Sequence, residues 1–584
     1  MSQYVYHPFQ DCSKEIRLLI LLPGKTNEDI KITLSHARLV QPCDQVRQEN
    51  EISLKELVKT LPPGWNAVRT VENRFLFEDE KTEDTTWTHP DSKFDISQYG
   101  SRLQRPYPGF QPEYEALSYV WGSEDNPETV YVELLHGSFS PSISSTSTMQ
   151  IGRNLALALR HLRYPNKTRT LWVDAICINQ RDDNERNVQI RRMADIYELA
   201  QRVVVWLGPE ANDSKLAIST LQHLGRQVEI TSRNTRVRSP EATEPDWFHS
   251  WCKLPYTEEI WLAIHELVKR PWFERLWILQ EIQLANSRAI IVCGYDTILW
   301  SRFRRTVLCL WAKKHLPSSQ LREQLRLLQA LSCSQRGQPF SYLLGLSRGR
   351  KCSNPRDRVY GLLGLAPPTF ARKIDPQYSL PIGDTYKALC VAHINYVHRL
   401  ELLQDCTLDP NQIVMPSWVP DWSMPRMTRN NANWQFASGA SRSWTRYISP
   451  NTLEVLGTQC GTVCSVGKPA PHDRSDVFAT IQDWEPDDLK EATYFTGESL
   501  VDVYVSSLRG NRVKERFPAD SLPTVTQCKK IYVTKISKFK DASEVRDLND
   551  LEISRVLDFS SGRSFIRLDN GYIGLAPART QLGM

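Results

Sequence analysis

The run LWVDAICINQ, residues 171–180, sets a carboxylate, Asp174, among Trp172, Val173, Ala175 and Ile176. A carboxylate in mid-strand and out of water is costly unless it has partners or takes up a proton. Two readings stay open from the residues alone: a site acid with a raised pKa, or a structural acid tied to nearby backbone amides. Asn179 and Gln180 follow at the strand's carboxyl end, where open α/β sheets bind ligands. Cys177 has no base to pair with, which predicts a buried, inert thiol. A second acid stands in RPWFERLWILQEIQLA, residues 270–285, read as one helix with Pro271 in its first turn. There Trp277, Glu281 and Leu284 fall at i, i+4 and i+7, so Glu281 shares the apolar stripe. Desolvation would raise its pKa and make it a candidate for site chemistry; the alternative is a salt bridge to an arginine of another element. YEALSYVWGS, residues 114–123, brings Ser118, Tyr119 and Trp121 to a strand end at Gly122. A glycine there permits a ligand's approach or simply a turn. No Walker-type loop, G-x-G-x-x-G or G-x-S-x-G is present, so kinase, dinucleotide-fold dehydrogenase and serine hydrolase classes have no motif support.

Strands and helices must alternate to position these residues. EIRLLILLPG (from Glu15) and IKITLSHARL (from Ile30) read as strands, as do 114–122, 171–178, RVVVWLG (from Arg202) and AIIVCG (from Ala289). Leu155, Leu159 and Leu162 make one helical stripe, and Ile190, Met193, Tyr197 and Ala200 make the next. That alternation predicts a largely parallel sheet covered on both faces. Residues 138–148 and 229–247 are polar and predict loops, the second a mobile one. After about 300 the pattern is mainly helical as far as Val397, and a strand-rich part begins near Pro416. TLEVLGTQCGTVCSVG and FIRLDNGYIGLAP are its clearest pieces.

The 584 residues exceed a single ordinary domain, and 41% hydrophobic content supplies packed cores. Formal net charge is +5, from 72 basic and 67 acidic residues, which gives no reason to expect nucleic acid or a membrane surface as partner. Thirteen scattered cysteines, an odd number, argue against a disulfide framework or zinc site and for a reducing, cytoplasmic setting. No signal peptide and no apolar run of about 18 residues is visible, so no membrane span is predicted.

In order, these segments resemble the HET (heterokaryon incompatibility) domain of filamentous fungi. The resemblance runs through EIRLLILLPG, YEALSYVWGS, residues 171–208 and RPWFERLWILQE. NPRDRVYGLLGLA (from Asn354), PSWVPDWS (from Pro416) and GYIGLAPA (from Gly571) look like segments that follow that domain. The resemblance implies signalling in non-self recognition and regulated cell death. It also implies a distant likeness to TIR domains, hence an α/β, TIR/flavodoxin-like core. Some TIR domains cleave NAD at the nicotinamide–ribose bond. By that analogy Glu281 would be catalytic, stabilising the oxocarbenium-like state, with Ser118, Tyr119, Trp121, Asp174, Asn179 and Gln180 shaping the pocket. NAD would be a substrate, and no cofactor or metal is implied. The alternative is a non-enzymatic, self-associating module in which Glu281 and Asp174 are structural. Family members run past GYIGLAPA into further strands, so an unfinished sheet is expected where this sequence stops at Met584.

One stretch interrupts that resemblance. LPPGWNAVRTVENRFLFEDEKTEDTTWTHP, from Leu61, resembles a WW domain, with Trp65 and Trp87 22 residues apart. Leu61, Pro62, Trp65 and Pro90 would pack on one face with Phe77. A ligand groove for proline-containing peptides would occupy the other, at Trp87 and Thr85. However, Leu76 stands at the groove's tyrosine position and Glu80 at its histidine, beside acidic Glu78, Asp79, Glu83 and Asp84. The insert is therefore either folded but groove-poor, or altered towards basic proline-containing peptides. The organisation predicted is N-terminal strands over 1–44, the insert over 55–91, the HET core over 106–300, a helical region over 301–415 and a strand-rich region over 416–584.

Overall fold

The computed structural model describes residues 2–41, 52–94, 110–123, 125–133, 146–244, 246–406, 415–424, 441–471, 474–516, 522–538 and 551–584. They form two compact units: Met1–Gln338 with Arg350–Leu380, and Pro339–Gly349 with Pro381–Met584.

The first unit is built on a nine-stranded sheet. Its strands are β1 (Glu15–Leu21), β2 (Lys31–Arg38), β6 (Glu115–Ser118), β7 (Glu128–Val132), β8 (Ser147–Ile151), β9 (Arg169–Trp172), β10 (Arg202–Trp206), β13 (Ile290–Cys293) and β14 (Asp296–Leu299). β3 to β5 and the pair β11–β12 lie outside it. The order is β14-β13-β10-β6-β9-β1-β2-β7-β8. β9, β6, β10 and β13 run parallel, whereas β1 joins β9 antiparallel. The sheet is thus mixed, with a parallel centre whose strands are almost wholly buried and whose charged members, Glu115, Arg169 and Arg202, pair with one another. The loop predicted over 138–148 lies mostly outside the described residues, and its end begins β8.

Around the sheet lie α2 (Arg153–Leu162), the one-turn α3 (Asp174–Cys177), α4 (Asp183–Leu199), α5 (Ser214–Arg226), α6 (Glu258–Val268), α7 (Ile278–Gln283), α8 (Trp300–Trp311) and α9 (Ser319–Ser332). α1 belongs to the insert below. Asp182 caps α4 by accepting from the amides of Asn184 and Glu185 at 3.0 and 3.1 Å. Two elements differ from their sequence reading. The run 171–178 is not one strand: the chain leaves the sheet at Trp172 and turns into α3, which puts Asp174 at a helix start. An eight-residue apolar run fits strand and buried helix alike. The run 270–285 breaks into a 3-10 turn, Pro271–Glu274, and α7, with extended Arg275 between them. Trp277 and Glu281 keep their helical spacing, since the Glu281 amide donates to the Trp277 carbonyl at 3.1 Å.

α5 crosses α8 closely at Gly225, where an added Cβ would stand 2.3 Å from the Arg302 carbonyl oxygen. Backbone cannot yield there as a side-chain tip could. Gly225→Ala is expected to destabilise this unit by about 1–3 kcal/mol or more, read by urea denaturation.

The insert folds as α1 (Leu54–Lys59) and an antiparallel sheet of β3 (Trp65–Arg69), β4 (Phe75–Asp79) and β5 (Thr85–Thr86). Ser53 and Glu56 form a capping box at the start of α1. Phe77 is buried with Leu57, Ala67 and Phe75, and Leu61 and Trp65 pack against them. Sequence reading anticipated Phe77, Leu61 and Trp65, and missed the helix that supplies Leu57.

The polar stretch 229–247 is not a loose loop. Residues 228–238 form the antiparallel hairpin of β11 (Val228–Ile230) and β12 (Arg236–Arg238), with the Glu229 side chain buried in it. Tertiary partners order what composition alone assigns to solvent.

In the second unit, the part predicted as strand-rich is mixed. Thr452–Val455, and Val463–Val466 with Arg563–Leu568 and Ile573–Pro577, match the anticipated pieces, and Thr445–Ile448 pairs with the first of them as a strand not anticipated. Helices Arg474–Asp483, Leu500–Ser507, Val525–Thr534 and Leu551–Ser560 build the core between them. Val477, Phe478, Ile481, Val501, Tyr504 and Val505 pack there around Phe565 at helical spacing. Among the described residues, no helix is long and apolar enough to cross a membrane.

Candidate functional site

The parallel centre delivers three strand ends to one edge: β6 runs into Tyr119 and Trp121, β9 into Asp174, and β10 into Leu207 and Gly208. The connection from β6 leads to β9 on one side, and the chain then returns past β6 to β10 on the other. The gap between β6 and β10 is therefore a topological switch point, the place where open α/β sheets leave a crevice. A crevice of about 510 Å³ lies there, walled by Val120, Gly122, Asn154, Gly208, Arg270 and Pro271 among others.

Beside the crevice is a sealed acid cluster. Trp272 Nε1 donates to Ser118 Oγ at 2.8 Å, and Ser118 Oγ donates to Glu281 Oε2. Arg275 Nη1 stands 3.9 Å from Glu281 Oε2 and donates to the Tyr119 carbonyl. Glu281 has 1% of its surface exposed. Burial pushes its carboxyl up to about 7, with Arg275 and the Ser118 bond opposing and Asp174 adding to the rise. The partner is thus an arginine of its own segment, six residues upstream, held too far off to cancel the desolvation.

Asp174 sits at the rim. Its Oδ2 accepts from Trp121 Nε1 at 2.8 Å, its Oδ1 from the Ala175 amide at 2.7 Å, and the Tyr119 hydroxyl bonds to it as well. Burial raises its pKa, while Arg275 and these donors pull the other way. Trp121 keeps 41% of its surface exposed, and Asp174 itself is half-buried. Gln180 Nε2 donates to the Asp174 carbonyl at 3.0 Å. Asn179 is spent on a turn: its Oδ1 accepts from the Arg181 amide, and its own amide donates to Glu185. Cys177 is buried and its thiol is pushed up to about 12, mainly by desolvation. The structure therefore brings Ser118, Tyr119, Trp121, Asp174 and Glu281 together, with Gln180 attached through backbone and Asn179 outside the cluster.

Several contributors were not read from the sequence. Arg270 donates to the carbonyls of Leu207 and Pro209 at 3.0 and 2.9 Å, holding one wall of the crevice. Gly208 has φ +109° and would place a Cβ 3.2 Å from that guanidinium, so only glycine suits the wall. Asn154 ties the end of β6 to β10, donating to the Val120 carbonyl at 2.6 Å and accepting from Trp206 Nε1 at 3.2 Å. The segment from Asn354 braces α7: Asp357 accepts from Trp277 Nε1 at 3.1 Å and from the Tyr378 hydroxyl at 2.5 Å. The Gly364 amide donates to Gln280 Oε1 at 3.1 Å, in a space an added Cβ would overfill.

The insert's candidate groove residues lie elsewhere in this unit. Leu76 is buried, 1% exposed, and Trp87 Nε1 donates to the Arg238 carbonyl at 3.1 Å. Thr85 is exposed, paired with Glu78 across β4 and β5. Among the described residues, no cluster of three or more His, Cys, Asp or Glu is placed to hold a metal.

Fold and site thus define a mixed-sheet α/β protein with a closed acid cluster beside a switch-point crevice. Residues 114–281 match the family described as heterokaryon incompatibility protein (HET), a span that opens on the residue before β6 and closes on Glu281. The chain is also similar to heterokaryon incompatibility protein 6, OR allele, of Neurospora crassa, at 29% identity over 442 residues. The alignment covers 64% of this chain and 62% of that relative, so it spans less than two thirds of the relative's length. No solved structure matches the chain. The HET resemblance read from the motifs is supported by both findings.

Proposed function

We propose that this is a HET-type signalling protein in non-self recognition and regulated cell death, acting in the cytoplasm through self-association and not through chemistry at Glu281 in the state described. The observation that carries the non-enzymatic part is the sealing of Glu281, whose carboxyl meets Ser118 and Arg275 and leaves no face for a substrate. The family match and the named relative support the non-self-recognition part.

The second reading is TIR-like cleavage of NAD. The parallel order β9-β6-β10-β13 corresponds to a flavodoxin-like 2-1-3-4 arrangement, which favours it, as does the crevice beside the acid. Cleavage would require the Trp272–Ser118 link to open so that an ionised Glu281 could face developing positive charge on the ribose. NAD turnover by full-length wild type and Glu281→Gln, each as monomer and as induced oligomer, separates the two. The signalling reading expects no turnover by either protein and cell death that survives Glu281→Gln. Turnover by oligomeric wild type that is lost in the variant establishes the enzyme.

For the insert, the three-stranded sheet and the packed Trp65 favour the WW-like reading. Its ligand preference would be for basic, proline-containing peptides, given the acidic residues along β4 and the turn after it.

A further inference from the structure

β4 has two faces. Phe75 and Phe77 enter the insert's own small core, while Arg74, Leu76 and Glu78 alternate onto the other side. That second side is where a peptide groove would lie, and it is already engaged by the β11–β12 hairpin. Arg74 Nη1 meets Glu229 Oε1 at 2.6 Å, Glu78 stands 3.7 Å from Arg233, and Leu76 between them is buried with its cross-strand neighbour Val68. Trp87 gives its indole N–H to the Arg238 carbonyl, and the Arg74 guanidinium lies 4.9 Å from its ring centre.

The tips of the two hairpins are also joined. Each is the same five-residue turn, Thr70 to Arg74 and Thr231 to Thr235, with an asparagine in the left-handed region, Asn73 at φ 62° and Asn234 at φ 61°. In each, the first threonine's Oγ1 accepts from the fifth residue's amide. The turns pair back to back: the Val71 amide donates to the Ile230 carbonyl at 2.9 Å, and the Ser232 amide to the Arg69 carbonyl at 2.8 Å.

We propose that the hairpin is the insert's in-chain ligand, and that the contact is a latch which an extended basic peptide displaces. This rests on the WW-like reading of the insert. Trp87 holds the Arg238 carbonyl, and Arg238 stands in the run Arg236, Val237, Arg238, Ser239 and Pro240. Arg233 of the hairpin faces Glu78 of the insert, while Arg238 pairs with Asp246 and Arg236 donates to the Leu308 carbonyl; a free peptide of this basic, proline-containing sequence would have all three arginines available for the insert's acidic residues. The joint is made mainly of ion pairs and backbone hydrogen bonds. Its polar groups regain hydration when parted, which offsets part of the cost of breaking the buried Arg74–Glu229 pair and uncovering Leu76. A tethered segment acts at an effective concentration on the order of millimolar, so a free peptide competes at a disadvantage until the tether is weakened.

The test uses full-length protein and a synthetic peptide of residues 232–240, Ser-Arg-Asn-Thr-Arg-Val-Arg-Ser-Pro. Calorimetric titration of wild type and Glu229→Gln is combined with hydrogen exchange at the Val71 and Ser232 amides. The variant should bind at least tenfold more tightly than wild type, lose protection at both amides when saturated, and lose binding when Trp87→Ala is added. Should Glu229→Gln fail to fold, Arg233→Glu, which breaks the exposed pair with Glu78, takes its place. Equal affinity in wild type and variant would overturn the latch while leaving a peptide-binding insert. Absence of binding to every folded form would overturn the peptide-binding reading and the latch with it.

Discussion

A Glu281→Gln variant is expected to be more stable than wild type above pH 7 and to show a shallower fall of stability between about pH 4.5 and 7. The Glu281 carboxyl, ordinarily near 4.5, is raised to about 7 in the fold by burial. Below pH 4.5 it is protonated in folded and unfolded chains alike, and its contribution is fully present. As pH rises, the unfolded chain ionises first and is favoured. Above 7 the folded chain must hold a charge among Trp272, Ser118 and Tyr119. The shift corresponds to about 3 kcal/mol lost across that window. Glutamine keeps an acceptor for Ser118 and has no charge to bury. Asp174 and Asp357 are raised in the same direction, so a residual slope of the same sign should remain in the variant. Urea denaturation at pH 5, 6, 7 and 8 reads both curves. Parallel curves would mean that Arg275 holds Glu281 ionised throughout.

Arg305→Ala should cost about 3–5 kcal/mol and loosen the insert. Arg305 Nη2 bridges Glu72 at 3.1 Å and Glu229 at 3.2 Å, and all three are buried. Its loss leaves two buried carboxylates sharing Arg304 and Arg74. Burial holds Glu229 above the ordinary carboxylate range despite Arg305 and Arg74, whereas at Glu72 burial is outweighed by Arg304 and Arg305. Glu229 is therefore the member with least compensation. Arg74→Ala should cost less, because Arg74 is partly exposed and water can take its place. A double replacement, Glu229→Met with Arg305→Met, should cost less than Arg305→Ala if the penalty is the stranded charge and not the lost contact. Denaturation of the four proteins, with proteolysis around residue 92 as a local readout, distinguishes these outcomes.

Much of the first unit was legible from pattern. β1, β10 and β13 are short, mostly apolar runs bounded by turns, and α2 and α4 carry stripes at helical spacing, so local chemistry and tertiary placement agree. The failures share a cause. Asp174 looked like a mid-strand acid because an apolar run fits strand and buried helix equally. The helix drawn over 270–285 breaks at Arg275 because that residue's guanidinium is needed at the Tyr119 carbonyl and near Glu281. Residues 229–247 read as solvent because their ordering partners, Arg74 and Arg305, lie about 155 and 75 positions away. In the second unit, the helices of the core were missed although Val477, Ile481, Val501 and Tyr504 carry the spacing.

By itself the sequence determined that short strands alternate with helices, that Glu281 would share an apolar stripe, and that a small two-tryptophan sheet interrupts the larger one. These follow from periodicity and residue type, which act over a few neighbours. Only the tertiary structure decided that Glu281 is sealed by Trp272 and Ser118, that a crevice opens instead beside Gly208 and Arg270, and that the insert's second face is taken by the chain's own hairpin. Each depends on groups far apart in sequence meeting at one place, and the balance of desolvation against pairing exists only once they have met.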